Sequence, residues 1–393
     1  MGIDLPLIWF LIIIFGVMMY VVMDGFDLGI GLLFPLVKKE HDRDVMMNTV
    51  APVWDGNETW LVLGGAALYG AFPLAYSVIL DALSIPLTLM LFGLIFRGVA
   101  FEFRFKASPA RRHVWDKSFI WGSVIATFCQ GVVLGAVING IPVVNRTYAG
   151  GALDWLTPFT LFCGFALVVA YALLGCTWLI MKTEGELQVA MHKIAKPLLV
   201  VFLLVTLAVS LWTPLTHSDI ATRWFTRPNL YWFLPVPVLV VLVSAWMFRA
   251  ISKNAHHAPF LLTLALVFLG YTGLGISIWP NIIPPSISIW EAASPPQSQG
   301  FILVGALFII PIILVYTFWS YYVFRGKVTP DQVITEEFRM NLIRKMDDNN
   351  ITKAPFLKRV GWMAVIWGGS VLALFVVATV FHLLMFAAGM REH

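Results

Sequence analysis

Six ionisable residues sit in or at the edge of the first three apolar stretches of the chain: Asp24 and Asp27 in MDGFDLGIG, Asp55 and Glu58 in WDGNETW, and Arg97 and Glu102 in LIFRGVAFEF. A charge at membrane depth costs roughly 2.5–3.5 kcal/mol or more unless it is paired or wetted, so such a cluster marks a proton or ion path. Each acid pair is spaced i, i+3, which places both carboxyls on one helical face. Carboxyls in that arrangement can pass protons or hold a cation, and a guanidinium beside them supplies a fixed counter-charge. A second reading stays open, in which Arg97 neutralises one acid and the cluster only locks three helices together.

The elements that must position these groups are membrane spans. The 393-residue chain is 59% hydrophobic and 12% charged, with a mean hydropathy of +0.83, so an all-α polytopic membrane protein is expected. Stretches long enough to cross a hydrocarbon core, about 20 residues each, run at 7–36, 51–76, 77–103, 118–143, 156–181, 197–215, 230–251, 259–283, 300–325 and 360–386. The first lacks a basic start and a small-residue cleavage site and carries two aspartates, so it is expected to stay in the chain. Most of the 26 Lys and Arg fall in alternate loops, beginning with Lys38, Lys39 and Arg43. Those loops face the cytoplasm by the positive-inside bias, which sets both termini on the outer face. The net charge of +4 reflects this anchoring and gives no reason to expect nucleic acid.

Depth follows from a rise of about 1.5 Å per residue. Asp24, Asp27, Asp55, Glu58 and Arg97 all fall in the inner half of the bilayer and are expected to converge on one hydrated pocket open to the cytoplasm. Gly25, Gly29, Gly31 and Gly64-Gly65 would let these helices approach closely. Trp54 reads either as an interfacial anchor or as a platform for a quinone ring or haem edge. Glu102 is near enough to the cytoplasm to snorkel, Asp81 reads as solvated, and spacing assigns Glu291 no chemistry. Cys129, Cys163 and Cys176 lie in spans without a CxxC pair and read as buried small hydrophobes. Of the eight histidines only His382 lies in a span, too few for haems held by His pairs. Redox chemistry is therefore assigned to a partner and no metal site to this chain.

The expected organisation is a first four-helix bundle (1–143), a second (156–283), a ninth peripheral span (300–325), a cytoplasmic linker (326–358) and a tenth, appended span (359–393). At the strings DGFDLGIG (24–31), NTVAPVWDGNETWLVLGGAALYGAFPLAY (48–76), LIFRGVAFEFR (94–104), KTEGEL (182–187), WPNIIPPSISIWEA (279–292) and IPIILVYTFWSYYVFRGKVT (310–329), the chain resembles subunit II of the cytochrome bd type of quinol oxidase, nearest its cyanide-insensitive branch. The resemblance implies two four-helix bundles plus a ninth helix beside a homologous subunit I that carries haems b and d and oxidises quinol, and it leaves room for a structural quinone or lipid here. It matches Asp55 to an acid on a cytoplasmic proton path, Trp54 to the aromatic beside it, and Asp24, Asp27 and Arg97 to motif positions. Phe-Arg-Gly replaces the family's frequent Phe-Arg-Pro at Gly98, and Glu291 stands where Asp is common. The string PFLKRVGWMAVIWGGSVLALF is similar to small single-span accessory proteins of such oxidases, so a fused accessory segment is expected. The expected role is a haem-free subunit of a quinol:oxygen oxidoreductase in a bacterial cytoplasmic membrane; the alternative is a stand-alone cation-coupled transporter.

Overall fold

The computed structural model describes residues 3–329, 361–372, 375 and 379. Most of the expected linker and the latter part of the tenth span lie outside the described residues. The helices run α1 (Leu5–Leu33), α2 (Glu40–Asn48), α3 (Trp54–Ala71), α4 (Pro73–Arg104), α5 (Arg112–Asn139), α6 (Pro158–Lys182), α7 (Gly185–Thr216), α8 (Ser218–Phe225), α9 (Asn229–Phe233), α10 (Pro235–Ser252), α11 (Ala258–Ile278), α12 (Ile289–Ala292) and α13 (Pro296–Val323). Two short antiparallel hairpins, β1 (Val143–Val144) with β2 (Thr147–Tyr148) and β3 (Asn281–Ile283) with β4 (Ile287–Ser288), shape loops. One compact unit comprises residues 1–294 and 310–333, and the other 295–309 and 334–393.

Among the described residues, eight helical segments are long and apolar enough to cross a membrane. Helix α3 has 18 residues, but its polar first turns keep it outside that set. The second and third expected spans divide at Phe72 rather than after residue 76, because Pro73 opens α4 at its first position, where a missing N–H costs nothing. Leu83 breaks helical geometry inside α4 (φ −119°, ψ 21°). Pro86 follows it, removing one backbone donor and crowding the carbonyl of Ala82. Side-chain caps set other starts: Asp4 accepts from Leu7 N at 3.1 Å ahead of α1, and Thr157 forms a capping box with Thr160 ahead of α6.

Helix α1 lies at the centre of the larger unit, packed on α3, α5 and α6. The close approach of α1 to α6 is made by Gly29 and Gly175, since a Cβ on Gly29 would lie 1.9 Å from the carbonyl oxygen of Tyr171. Gly93 and Gly122 make the matching contact between α4 and α5. These contacts correct the expectation that the span-one glycines draw the first three spans together. Gly25 and Gly29 face α6 and Gly31 faces Ser123 of α5, while a Cβ on Gly64 would meet Val17 at an ordinary 3.6 Å and one on Gly65 nothing within 4 Å. A small-residue face fixes how near a neighbour comes, and which neighbour it is depends on the tertiary arrangement. Helix α6 packs on both α1 and α5 within the larger unit.

Candidate functional site

Helices α1, α3 and α4 bring Asp24, Asp27, Glu58 and Arg97 together. Arg97 is fully buried and shared: its Nη1 lies 2.9 Å from Asp24 Oδ1 and its Nη2 2.9 Å from Glu58 Oε1. Asp24 and Asp27 are also fully buried, whereas the Glu58 side chain retains 27% exposure. Asp27 takes a different partner. Asn57 Nδ2 donates to Asp27 Oδ2 at 2.8 Å and to the Met23 carbonyl at 3.2 Å, and Tyr321 O–H donates to Asn57 Oδ1 at 2.8 Å. The site therefore has an ion-paired half, Asp24–Arg97–Glu58, and a hydrogen-bonded half, Asp27–Asn57–Tyr321.

Asp55 does not join either half by contact. It lies exposed in the first turn of α3, three residues before Glu58, where a carboxylate complements the positive end of the helix. An acid on the surface, one partly covered and two fully buried thus form a graded series along one helix face and inward. Both Asp24 oxygens, Asp27 Oδ1 and Arg97 Nε are buried without a partner in hydrogen-bonding geometry. Trp54 beside the cluster stacks on Phe101 (5.1 Å, 10°), and a Cβ on Gly98 would come within 3.2 Å of its ring. The glycine in place of proline is thereby part of the seat of Trp54, which has one face already covered.

Several participants carry no local signal in the sequence. Tyr321 comes from α13, 264 residues from Asn57. One turn before Asp24, the Tyr20 hydroxyl accepts from Gln130 Nε2 at 2.7 Å, and Tyr171 O–H donates to Gln130 Oε1 at 3.0 Å, so α1, α5 and α6 share a buried polar ladder. Where α2, the end of α4 and the start of α5 meet, Arg104, fully buried, binds Asp116 (2.5 Å) and Asp44, with Arg43 on Asp116 (2.8 Å) and Arg112 on Glu40 (3.0 Å). Glu102 pairs with Lys106 at 2.9 Å in solvent, and Glu291 closes a capping box with Ser288. The three cysteines are buried and free. Among the described residues no group of three or more His, Cys, Asp or Glu side chains is arranged to hold a metal.

Long apolar helices enclosing a buried ion cluster define a multi-pass membrane protein. Residues 5–324 match the family described as cytochrome bd terminal oxidase subunit II, and the chain belongs to that family. It is thus a terminal-oxidase subunit. Residues 354–392 separately match a family described as a protein of unknown function (DUF2474). The chain is 29% identical over 379 residues to cytochrome bd-I ubiquinol oxidase subunit 2 of Escherichia coli strain K12, covering 84% of this chain and 96% of that protein. It is also 29% identical to cytochrome bd ubiquinol oxidase subunit 2 of Bacillus subtilis strain 168, over 84% of this chain and 98% of the relative. Its fold is similar to a chain of the bd oxidase of Geobacillus thermodenitrificans, with a TM-score of 0.68, 14% identity, and coverage of 82% and 97% of the two chains.

Proposed function

We propose that this chain is the haem-free subunit II of a quinol:oxygen oxidoreductase, holding a haem-bearing subunit I and lining a cytoplasmic path for the protons that reduce oxygen to water. The observation that carries the reading is the series from exposed Asp55 through half-covered Glu58 to the buried Arg97-centred cluster. A proton entering at Asp55 moves to the Glu58 carboxyl one turn inward and then to the Asp24 and Asp27 carboxyls. Arg97 keeps its proton under all conditions, so it serves as the fixed charge that holds two carboxylates in place. Three carboxyls against one guanidinium leave the cluster room to take a proton without reversing its charge. Asn57 relays nothing; its amide fixes the Asp27 carboxyl in one orientation.

In this assignment haems b and d and the quinol site belong to subunit I, a structural quinone or lipid remains compatible with this chain, and both termini lie on the outer side of a bacterial cytoplasmic membrane. The separate family match at residues 354–392 supports reading the tail as a fused accessory subunit. No observation favours the cation-coupled transporter. The test is oxygen uptake by the purified two-subunit complex. Asp55→Asn and Glu58→Gln are expected to slow turnover on the order of 10²-fold with the haem spectrum of the complex unchanged. Normal turnover in both variants would refute the path.

A further inference from the structure

Lys182 is the last residue of α6 and is 5% exposed. Its ammonium meets no carboxylate among the described residues; the nearby acid Glu184 pairs instead with Lys327 at 3.4 Å. Nζ donates to the carbonyls of Phe324 and Gly326, the latter at 2.7 Å, and lies 5.4 Å from the centre of the Trp178 ring. The Lys182 carbonyl in turn accepts from Val328 N at 2.8 Å. A helix end leaves its last carbonyls without intrahelical donors and carries partial negative charge. Lys182 supplies both the donors and the positive charge to the segment directly after α13, which ends at Val323.

Tyr321 is three residues upstream of the Phe324 carbonyl, and its hydroxyl donates to Asn57. Its ring is set against Phe26 and Trp178 at 6.3 and 6.2 Å, so Trp178 touches both the clamp and the tyrosine. Facing the Tyr321 hydroxyl are Asn57 of α3 and the carboxyls of Asp27 and Asp24 on α1; α6 and α11 present aromatic rings there. We propose that Lys182 is a positioning residue for proton transfer: by clamping the end of α13 it holds the Tyr321 hydroxyl on Asn57, and through Asn57 it fixes the Asp27 carboxyl. This rests on the proton path proposed above and adds a residue outside the acid cluster to it. A plain anchor for the chain leaving α13 would predict effects on assembly alone.

The two are separated by a double-substitution cycle on the purified two-subunit complex, reading oxygen uptake against pH with the haem absorbance as the measure of assembly. Lys182→Met and Tyr321→Phe are each expected to lower turnover about 10-fold, within the 10²-fold that a misplacement of about 1 Å can cost. Both are expected to displace the pH profile alike, and the double variant to be no slower than either single one. Multiplying losses, or a Lys182→Met enzyme with the parental pH profile, would overturn the clamp. A silent Tyr321→Phe would overturn the Asp27 arm of the path and this proposal with it, whereas a slow Tyr321→Phe beside a silent Lys182→Met overturns the clamp alone. Should Lys182→Met fail to assemble, Lys182→Gln, which keeps a neutral donor but loses the charge, is expected to show a smaller loss in the same direction, and losses that multiply with those of Tyr321→Phe would again overturn the clamp.

Discussion

Replacing Arg97 by leucine removes the single cation of the buried cluster and leaves two carboxylates that had each been 2.9 Å from it. Breaking a buried pair by deleting one partner costs about 3–5 kcal/mol, because the other charge is stranded in a low-dielectric site. Asp24, at 0% side-chain exposure, bears nearly all of that cost; Glu58 at 27% can turn toward water and adds no more than about 1 kcal/mol. At about 1.4 kcal/mol per decade, Arg97→Leu is expected to lower the equilibrium for the folded complex by two to four orders of magnitude. The second variant, Arg97→Leu with Asp24→Asn, removes both charges and is expected to recover about 2–3 kcal/mol, with the rest lost to missing hydrogen bonds and packing. The assay is denaturant titration of the complex in detergent, followed by the haem absorbance of the partner, with oxygen uptake measured on the assembled fraction. A single-variant loss under about 1 kcal/mol, or a double variant no more stable than the single one, would refute the reasoning. Full turnover in the assembled double variant would reduce the cluster to a lock between helices.

Two further predictions rest on separate parts of the fold. Gly29→Ala would set a Cβ 1.9 Å from the Tyr171 carbonyl oxygen, and since backbone has to shift, a loss of about 1–3 kcal/mol is expected in the same titration; Gly270→Ala, with open space at its Cβ, is the control expected to show none. In the loop between α11 and α13, the Ser288 backbone N–H and then its hydroxyl hold the Glu291 carboxyl below the usual carboxylate range. A carboxyl lowered on folding adds stability above its unfolded value of about 4.3 and loses it as pH falls through the folded value. The thermal midpoint of the parent is therefore expected to fall more than that of Glu291→Gln as pH drops below about 4.3, and parallel curves would refute the cap.

Residue type and depth arithmetic are enough to locate Asp24, Asp27, Glu58 and Arg97, because intramembrane charge is rare and helical rise is fixed. The same arithmetic overreaches at Asp55. Spacing of i, i+3 guarantees a shared face with Glu58 but says nothing of how far that face is covered, and the first turn of α3 emerges from its neighbours. Tyr321, Gln130 and Tyr171 were illegible for a different reason: a lone polar residue in an apolar helix gains meaning only from the partner that another helix presents. Arg104, Asp44 and Asp116 show the converse, since charges at span ends look alike in sequence whether they are solvated or buried in a network.

The packing constrains how the site can work. Asp27 is two residues from Gly29, where α1 and α6 meet backbone to backbone, and its carboxyl is held from the other side by Asn57. Helix α1 therefore cannot slide or rotate at this level without breaking a contact that has no slack, as close-packed interiors transmit strain rather than absorb it. The acids come from α1 and α3 and their cation from α4, while α6 offers this region Tyr171, Leu174, Gly175 and Trp178. One wall carries the charge and the opposite wall is stiff and mostly apolar. On the proposed path, protons would move by side-chain rotation and by exchange among fixed carboxyls, so a change that leaves every charge in place but loosens the wall, as Gly29→Ala does, is expected to slow turnover as well as weaken the fold.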